Sequence, residues 1–247
     1  MNAAADTSGQ DKPTIVLIHG AFADSSSWNG VVADLKRRGY PVVAFANPLR
    51  GVQKDAAYVR SFVDSVPGPV VMAAHSYGGV VMTEAADGAA NVKALVYVAS
   101  VSPDVGESVA ALGAKFQGSP LFEAIKSVPF TLADGETGMD LYVDQDRYPE
   151  VFAGDVEPAM AELMAATQRP AAASAQQEGV TKTAWKTIPT WTLITTKDQG
   201  IQPELQRFVA ERAGSTMVEV EASHAVAVSH PGAVADLIDT AARATVS

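Results

Sequence analysis

The chain has 247 residues, 47% of them apolar and 19% charged, which is enough for one sizeable core and too apolar for a disordered protein. Its formal charge of −10, with no Lys/Arg cluster, argues against a nucleic-acid partner, and no apolar run approaches the ~20 residues needed to span a bilayer. The lack of cysteine excludes disulfides, thiol catalysis and Cys-based metal sites.

Residues 1–12 are small and polar, and are expected to form a loose tail ahead of a single domain at 13–247. The chain is expected in the cytoplasm, or exported if Ala3-Ala4-Ala5-Asp6 is the remnant of a trimmed export signal. Thr14 to Ile18 is a short buried strand ending at His19-Gly20, and Trp28 to Arg38 has helical apolar spacing closed by Gly39. Pro41 to Ala46 is a second strand, Asp55 to Val66 a helix, Pro69 to Ala74 a third strand, Gly78 to Ala86 a helix and Val92 to Val98 a fourth strand. Apolar strands alternating with helices predict an α/β protein, a mostly parallel sheet covered on both faces, with ligands bound at the carboxyl ends of its strands.

The rhythm breaks at Val101. From there to about Thr187 the chain is rich in Pro, Gly and polar residues, with short helical pieces such as Glu157 to Thr167 and no strong buried-strand pattern. A stretch of this kind inside a compact domain predicts a cap, here over 101–187, between the fourth and fifth strands. The sheet resumes with Thr190 to Thr195, a helix from Pro203 to Ala213, a strand at Thr216 to Val220 and a last helix from Pro231 to about Ala244, giving about six strands flanked by helices.

Chemistry concentrates at Val70-Val71-Met72-Ala73-Ala74-His75-Ser76-Tyr77-Gly78-Gly79-Val80-Val81, where an apolar strand runs into a serine bracketed by small residues and a helix follows. This Ala-x-Ser-x-Gly pattern is that of a nucleophile elbow, in which strand and helix nearly touch and the serine is pushed out at the top of the sheet. A serine hydroxyl needs a base, and the base needs an acid to fix its tautomer. Of the four histidines, His224 follows the strand Thr216 to Val220 and is the expected base, with His230 its rival; His19 reads as a ring bonded within its own loop, and His75 as pointing away from the elbow. Asp198, just past a strand end, is the expected acid and Asp104 the rival. The amides of Ala21 and Tyr77 are expected to form an oxyanion hole, with Phe22 the fallback for Ala21.

From about residue 13 to 244 the chain resembles the α/β-hydrolases, whose Ser, acid, His order Ser76, Asp198 and His224 follow. More narrowly, His19-Gly20-Ala21-Phe22-Ala23-Asp24 with Trp28, Ala74-His75-Ser76-Tyr77-Gly78-Gly79, Asp198 and Ser223-His224-Ala225 resemble bacterial esterase-like hydrolases related to plant methylesterases and hydroxynitrile lyases. That resemblance implies a sheet without an initial hairpin and a cap between the fourth strand and the acid's strand. The lyases typically have threonine after the first-strand histidine and lysine after the catalytic histidine; this chain has Gly20 and Ala225, so the lyase chemistry is lost and the hydrolytic triad stays whole.

The combined reading is a serine hydrolase of small, fairly apolar esters working through an acyl-enzyme on Ser76, with no metal or organic cofactor. A small-molecule ester is the expected partner, and a homodimer is left open. Phe22 and the cap residues Phe116, Leu121, Phe122, Phe130, Tyr142 and Trp185 are candidates to line the pocket, the alternative for the cap group being cap core. Three other functions fit the same residues: a lactonase or amidase, a cofactor-free perhydrolase or haloperoxidase, and a ligand receptor with little turnover.

Overall fold

The computed structural model describes residues 12–116, 118–132 and 135–245. The loose tail expected over 1–12 therefore lies outside the described residues except for Lys12, whose ammonium donates to the Arg38 carbonyl and lies 4.6 Å from the centre of the Tyr40 ring.

The alternation expected from the sequence is present: β1 (Thr14–Ile18), α1 (Asn29–Arg37), β2 (Val42–Phe45), α2 (Val52–Ser65), β3 (Val70–His75), α3 (Tyr77–Ala85) and β4 (Val92–Val98). An inserted segment then supplies α4 (Val109–Lys115), α5 (Pro120–Glu123), β5 (Ile125–Thr131), β6 (Thr137–Val143), α6 (Tyr148–Val151), α7 (Pro158–Thr167), β7 (Ala171–Ala172) and α8 (Ala173–Gln177). After it come β8 (Thr190–Thr195), α9 (Pro203–Arg212), β9 (Thr216–Val220), α10 (Val226–Ser229) and α11 (Pro231–Thr245).

The main sheet has six strands in the order β2-β1-β3-β4-β8-β9, every pairing parallel. β3 and β8 are buried at every position, because helices cover both faces. The period of two along a strand divides the core into two layers. Val70, Met72 and Ala74 pack on the side of α2 and α3, while Val71 and Ala73 pack against α1 and α11 residues such as Leu35 and Ile238. β9 is an exposed edge strand rather than a buried one.

The insertion departs from its expected form. Beside its short helices it carries a three-stranded antiparallel sheet, β5-β6-β7, whose first two strands are seven residues long. β5 lies at the edge and is mostly exposed, so it needs neither an apolar run nor strict alternation, and Pro129 within it masks the strand signal.

Partly buried polar contacts fasten this segment to the main sheet layer. Glu84 of α3 accepts from the Thr181 and Lys182 amides at 2.7 and 3.0 Å, and Glu178 accepts from the Val52 and Gln53 amides at 2.7 and 3.2 Å. Arg50 donates to Asp140 at 2.7 Å and to the Pro170 carbonyl at 2.9 Å. The α2 contact explains why that helix begins at Val52 and not at Asp55. Its N-cap, Gly51 at φ 152°, offers no side chain, and a carboxylate 126 residues away does the capping.

Candidate active site

β3 delivers Ser76 into the left-handed region, at φ 53° and ψ −128°, a conformation a non-glycine residue holds only when its surroundings over-determine it. The surroundings do so. The Ser76 amide donates to the Val98 carbonyl at 3.3 Å, and its carbonyl accepts from the Gly79 amide at 2.9 Å and the Ser100 hydroxyl at 2.6 Å. A Cβ on Gly78 would lie 2.6 Å from the Ile18 carbonyl oxygen, and one on Gly20 only 2.6 Å from the Ser76 Cβ. β1, β3 and α3 meet too closely for a side chain at either position, which is the reason for glycine at 20 and at 78. Ser76 keeps 8% of its surface exposed.

Asp198 and His224 come together from the loops after β8 and β9. The His224 Nδ1–H donates to Asp198 Oδ2 at 2.8 Å, which leaves Nε2 as the acceptor nitrogen. The buried Asp198 carboxylate also accepts from the Gly200 amide at 2.7 Å, the Ile201 amide at 2.9 Å, the Thr195 hydroxyl at 2.8 Å and the Gln206 amide at 3.0 Å. A buried charge with this many donors is fully solvated by protein groups and has one orientation. His75, next to the serine, lies ring to ring 4.6 Å from His224, so the elbow and the His224 loop adjoin at the carboxyl end of the sheet.

The rivals lie elsewhere. Asp104 is at the surface, paired with Lys186 at 2.6 Å, which as the leading cause holds its carboxyl below the usual range. His230 is half-exposed and contacts the Ser229 hydroxyl at 3.0 Å and Asp155 at 3.4 Å. His19 accepts the Asn47 amide on Nε2 at 3.0 Å and therefore donates Nδ1–H to the Gly20 carbonyl at 2.9 Å, a ring bonded within its own loops; burial pushes it below the ordinary imidazole range.

The Phe22 amide donates to the Arg169 carbonyl at 3.1 Å, and the Phe22 carbonyl accepts the Tyr148 hydroxyl at 2.8 Å. The Phe22 amide is therefore already engaged, which weighs against Phe22 as the fallback donor. The Tyr77 amide opens α3, where the helix end favours negative charge, and its phenol is fixed by a 2.9 Å bond to Asp55.

The candidate pocket residues are dispersed. Phe22 is buried beside the Ala21 loop, Tyr142 is half-buried on β6, and Phe122 on α5 is 39% exposed. Trp185 donates Nε1–H to the Pro103 carbonyl at 2.7 Å and lies 5.1 and 5.6 Å from the Lys186 and Arg212 cations. Leu121 comes closer to the Asp198–His224 pair, with its Cδ1 3.2 Å from where a Gly200 Cβ would stand beside His224. A cavity of about 230 Å³ reaches Tyr148, Met160 and Met164 but is lined by none of Ser76, Asp198 or His224.

Sequence reasoning missed Phe152, whose ring is edge-on to His224 at 4.9 Å and whose carbonyl accepts the Ala225 amide at 3.0 Å. Nothing local marks it out in a segment of mixed composition. Gln206 was findable: it is a lone polar residue on the buried face of α9, between Leu205 and Val209.

Among the described residues no group of three or more metal-binding side chains occurs, and no helix is long and apolar enough to cross a membrane. The family model described as "Alpha/beta hydrolase family" matches residues 15–237, and the chain belongs to that family. Particular relatives are more distant. An α/β hydrolase, nvfD, of Aspergillus novofumigatus (strain IBT 16806) is 25% identical over 252 residues, covering 94% of this chain and 97% of that one. Among solved structures, polyneuridine aldehyde esterase is similar at a TM-score of 0.79 and 17% identity, covering 93% of this chain and 99% of that one. A pyrethroid hydrolase from Sphingobium faniae JZ-2 is similar at a TM-score of 0.77 and 22% identity, covering 94% and 98%.

Proposed function

We propose that the protein is a serine hydrolase of small, fairly apolar carboxylic esters. The observation that carries this reading is the buried Asp198–His224 pair, with its tautomer fixed, together with a serine held in the strained elbow conformation whose preceding residue, His75, contacts His224. His224 Nε2 takes the Ser76 proton as the hydroxyl attacks the ester carbonyl, and Asp198 stabilises the imidazolium that forms. The Ala21 and Tyr77 amides receive the developing oxyanion, each worth about 3 kcal/mol to the transition state. The alcohol leaves with a proton from His224, and water activated by the same ring hydrolyses the acyl-enzyme.

The names of the similar structures, an esterase and a pyrethroid hydrolase, support ester chemistry. The lyase alternative is disfavoured by space as well as by composition. Gly20 stands where a side chain would collide with Ser76 Cβ at 2.6 Å and the His75 carbonyl at 2.9 Å, so a threonine hydroxyl has no place there. The segment 101–187 acts in this reading as a fixed cap that shapes the pocket, supported by its polar fastenings to α2 and α3 and by Leu121 beside the His224 loop.

The test is a panel of p-nitrophenyl esters of graded acyl length, run beside lactones, amides and mandelonitrile with wild type and Ser76→Ala. Multiple turnovers on short esters, none on mandelonitrile above background, and loss of turnover in the variant are expected. Ester turnover no faster than that of Ser76→Ala across the whole panel would defeat the hydrolase reading and favour a receptor.

A further inference from the structure

We infer that His75 is a positioning residue for catalysis: its Nε2–H, bonded to the His224 backbone carbonyl, sets the base against the serine that His75 itself precedes. This rests on the hydrolase reading above. The bond is 2.8 Å long and buried, and because its acceptor is a carbonyl, His75 must carry the proton on Nε2. The two imidazole rings lie 4.6 Å apart, centre to centre. Trp28 and Phe152 close on the His75 ring edge to face, at 6.5 and 6.2 Å, and fix its rotamer.

The physical reason for a histidine here lies in what His224 otherwise depends on. Asp198 holds the His224 ring through Nδ1, but the backbone that carries that ring is in the loop after β9, an exposed edge strand with only one neighbour. The Lys197 amide donates to the Ala222 carbonyl and the Ser223 hydroxyl to Asp155, and two contacts with more distant segments flank the base itself. The Ala225 amide donates to the Phe152 carbonyl, and the His224 carbonyl accepts from His75. The second ties the base to the residue adjoining the nucleophile, so displacement of the elbow and of the base are coupled through one bond. Burial, the His224 charge and the charge of His19 all push His75 well below the ordinary imidazole range, against the carbonyl bond. It therefore stays a neutral donor while His224 gains and loses its proton, without competing for that proton.

The experiment compares wild type with His75→Gln, whose amide reaches about as far as Nε2, and His75→Phe, which keeps the ring volume without a donor. The readouts are kcat and KM on p-nitrophenyl acetate, the melting curve, and the downfield NMR resonance of the His224 Nδ1–H. Since an ångström of misplacement lowers rate by roughly a hundredfold, His75→Phe should lose about 10- to 100-fold in kcat with KM changed less than about threefold. It should also lose or broaden that resonance, while His75→Gln stays within about threefold of wild type and keeps it.

A folded His75→Phe with unchanged kcat and resonance would overturn the inference, as would a folded His75→Gln as damaged as the phenylalanine variant. If His75→Phe does not fold, His75→Asn decides, because its amide stops short of the carbonyl and must reproduce the kcat loss. A wild-type protein that cleaves no ester but loses the resonance in His75→Phe would uphold the positioning role and remove the hydrolase reading. A resonance indifferent to His75 in such a protein would remove both.

Discussion

Five donors converge on the Asp198 carboxylate, counting His224, whereas the Asp104 carboxylate pairs with a solvent-exposed lysine. The two aspartates, both candidates from sequence because each follows a strand, differ in what a change of charge would do. Asp198→Asn should leave the fold in place but offer the wrong hydrogen-bonding partner to Nδ1, lowering kcat by about three to four orders of magnitude. Asp104→Asn should stay within about twofold of wild type, since a surface ion pair contributes little. Steady-state kinetics on one ester distinguishes them, and a larger loss in Asp104→Asn would move the acid to the loop after β4. The residues legible in the sequence were those whose place follows from topology: Ser76 at the end of β3, Asp198 past β8 and His224 past β9. Phe152 was not legible, because its approach to His224 depends on how the insertion folds back. The role of His75 was not legible either, since its direction away from the elbow says nothing of the carbonyl it meets.

At the scale of elements, strands buried on both faces announced themselves as unbroken apolar runs, and all six main-sheet strands lie within one residue, at either end, of where composition put them. Elements defined by distant partners did not. The β5–β6 hairpin has too little burial to leave a pattern, and α2 starts three residues early because Glu178 caps it from the insertion. That capping makes Glu178 a joint between the inserted segment and the sheet layer. Glu178→Ala should destabilise the protein by about 0.5–2 kcal/mol, the range for losing an N-cap, as measured by urea unfolding. A midpoint and slope equal to wild type would mean that α2 finds another cap and that Glu178 is no joint.

For the whole molecule, buried neutral histidines set the response to acid. His19 and His75 are both held below the ordinary imidazole range, chiefly by burial. Unfolded, each binds a proton near pH 6.5, and folded only at lower pH, so below about 6.5 the unfolded chain takes up more protons. Stability is then full above that pH and falls on acidification, by up to about 1.4 kcal/mol per pH unit for each group. Asp55, whose carboxyl burial pushes up, acts with the opposite sign but only nearer the carboxylate range. Urea midpoints should fall from pH 7.5 to 5.5, and by less in His75→Gln; a midpoint flat across that interval would contradict the burial assigned to these rings. The chemistry itself is tested most directly by treating the intact protein with a serine-directed fluorophosphonate and locating the adduct by mass spectrometry. One adduct per chain, on Ser76 and absent from Ser76→Ala, is the expected result, whereas an adduct on any other serine, or ester turnover with Ser76 unlabelled, would contradict it.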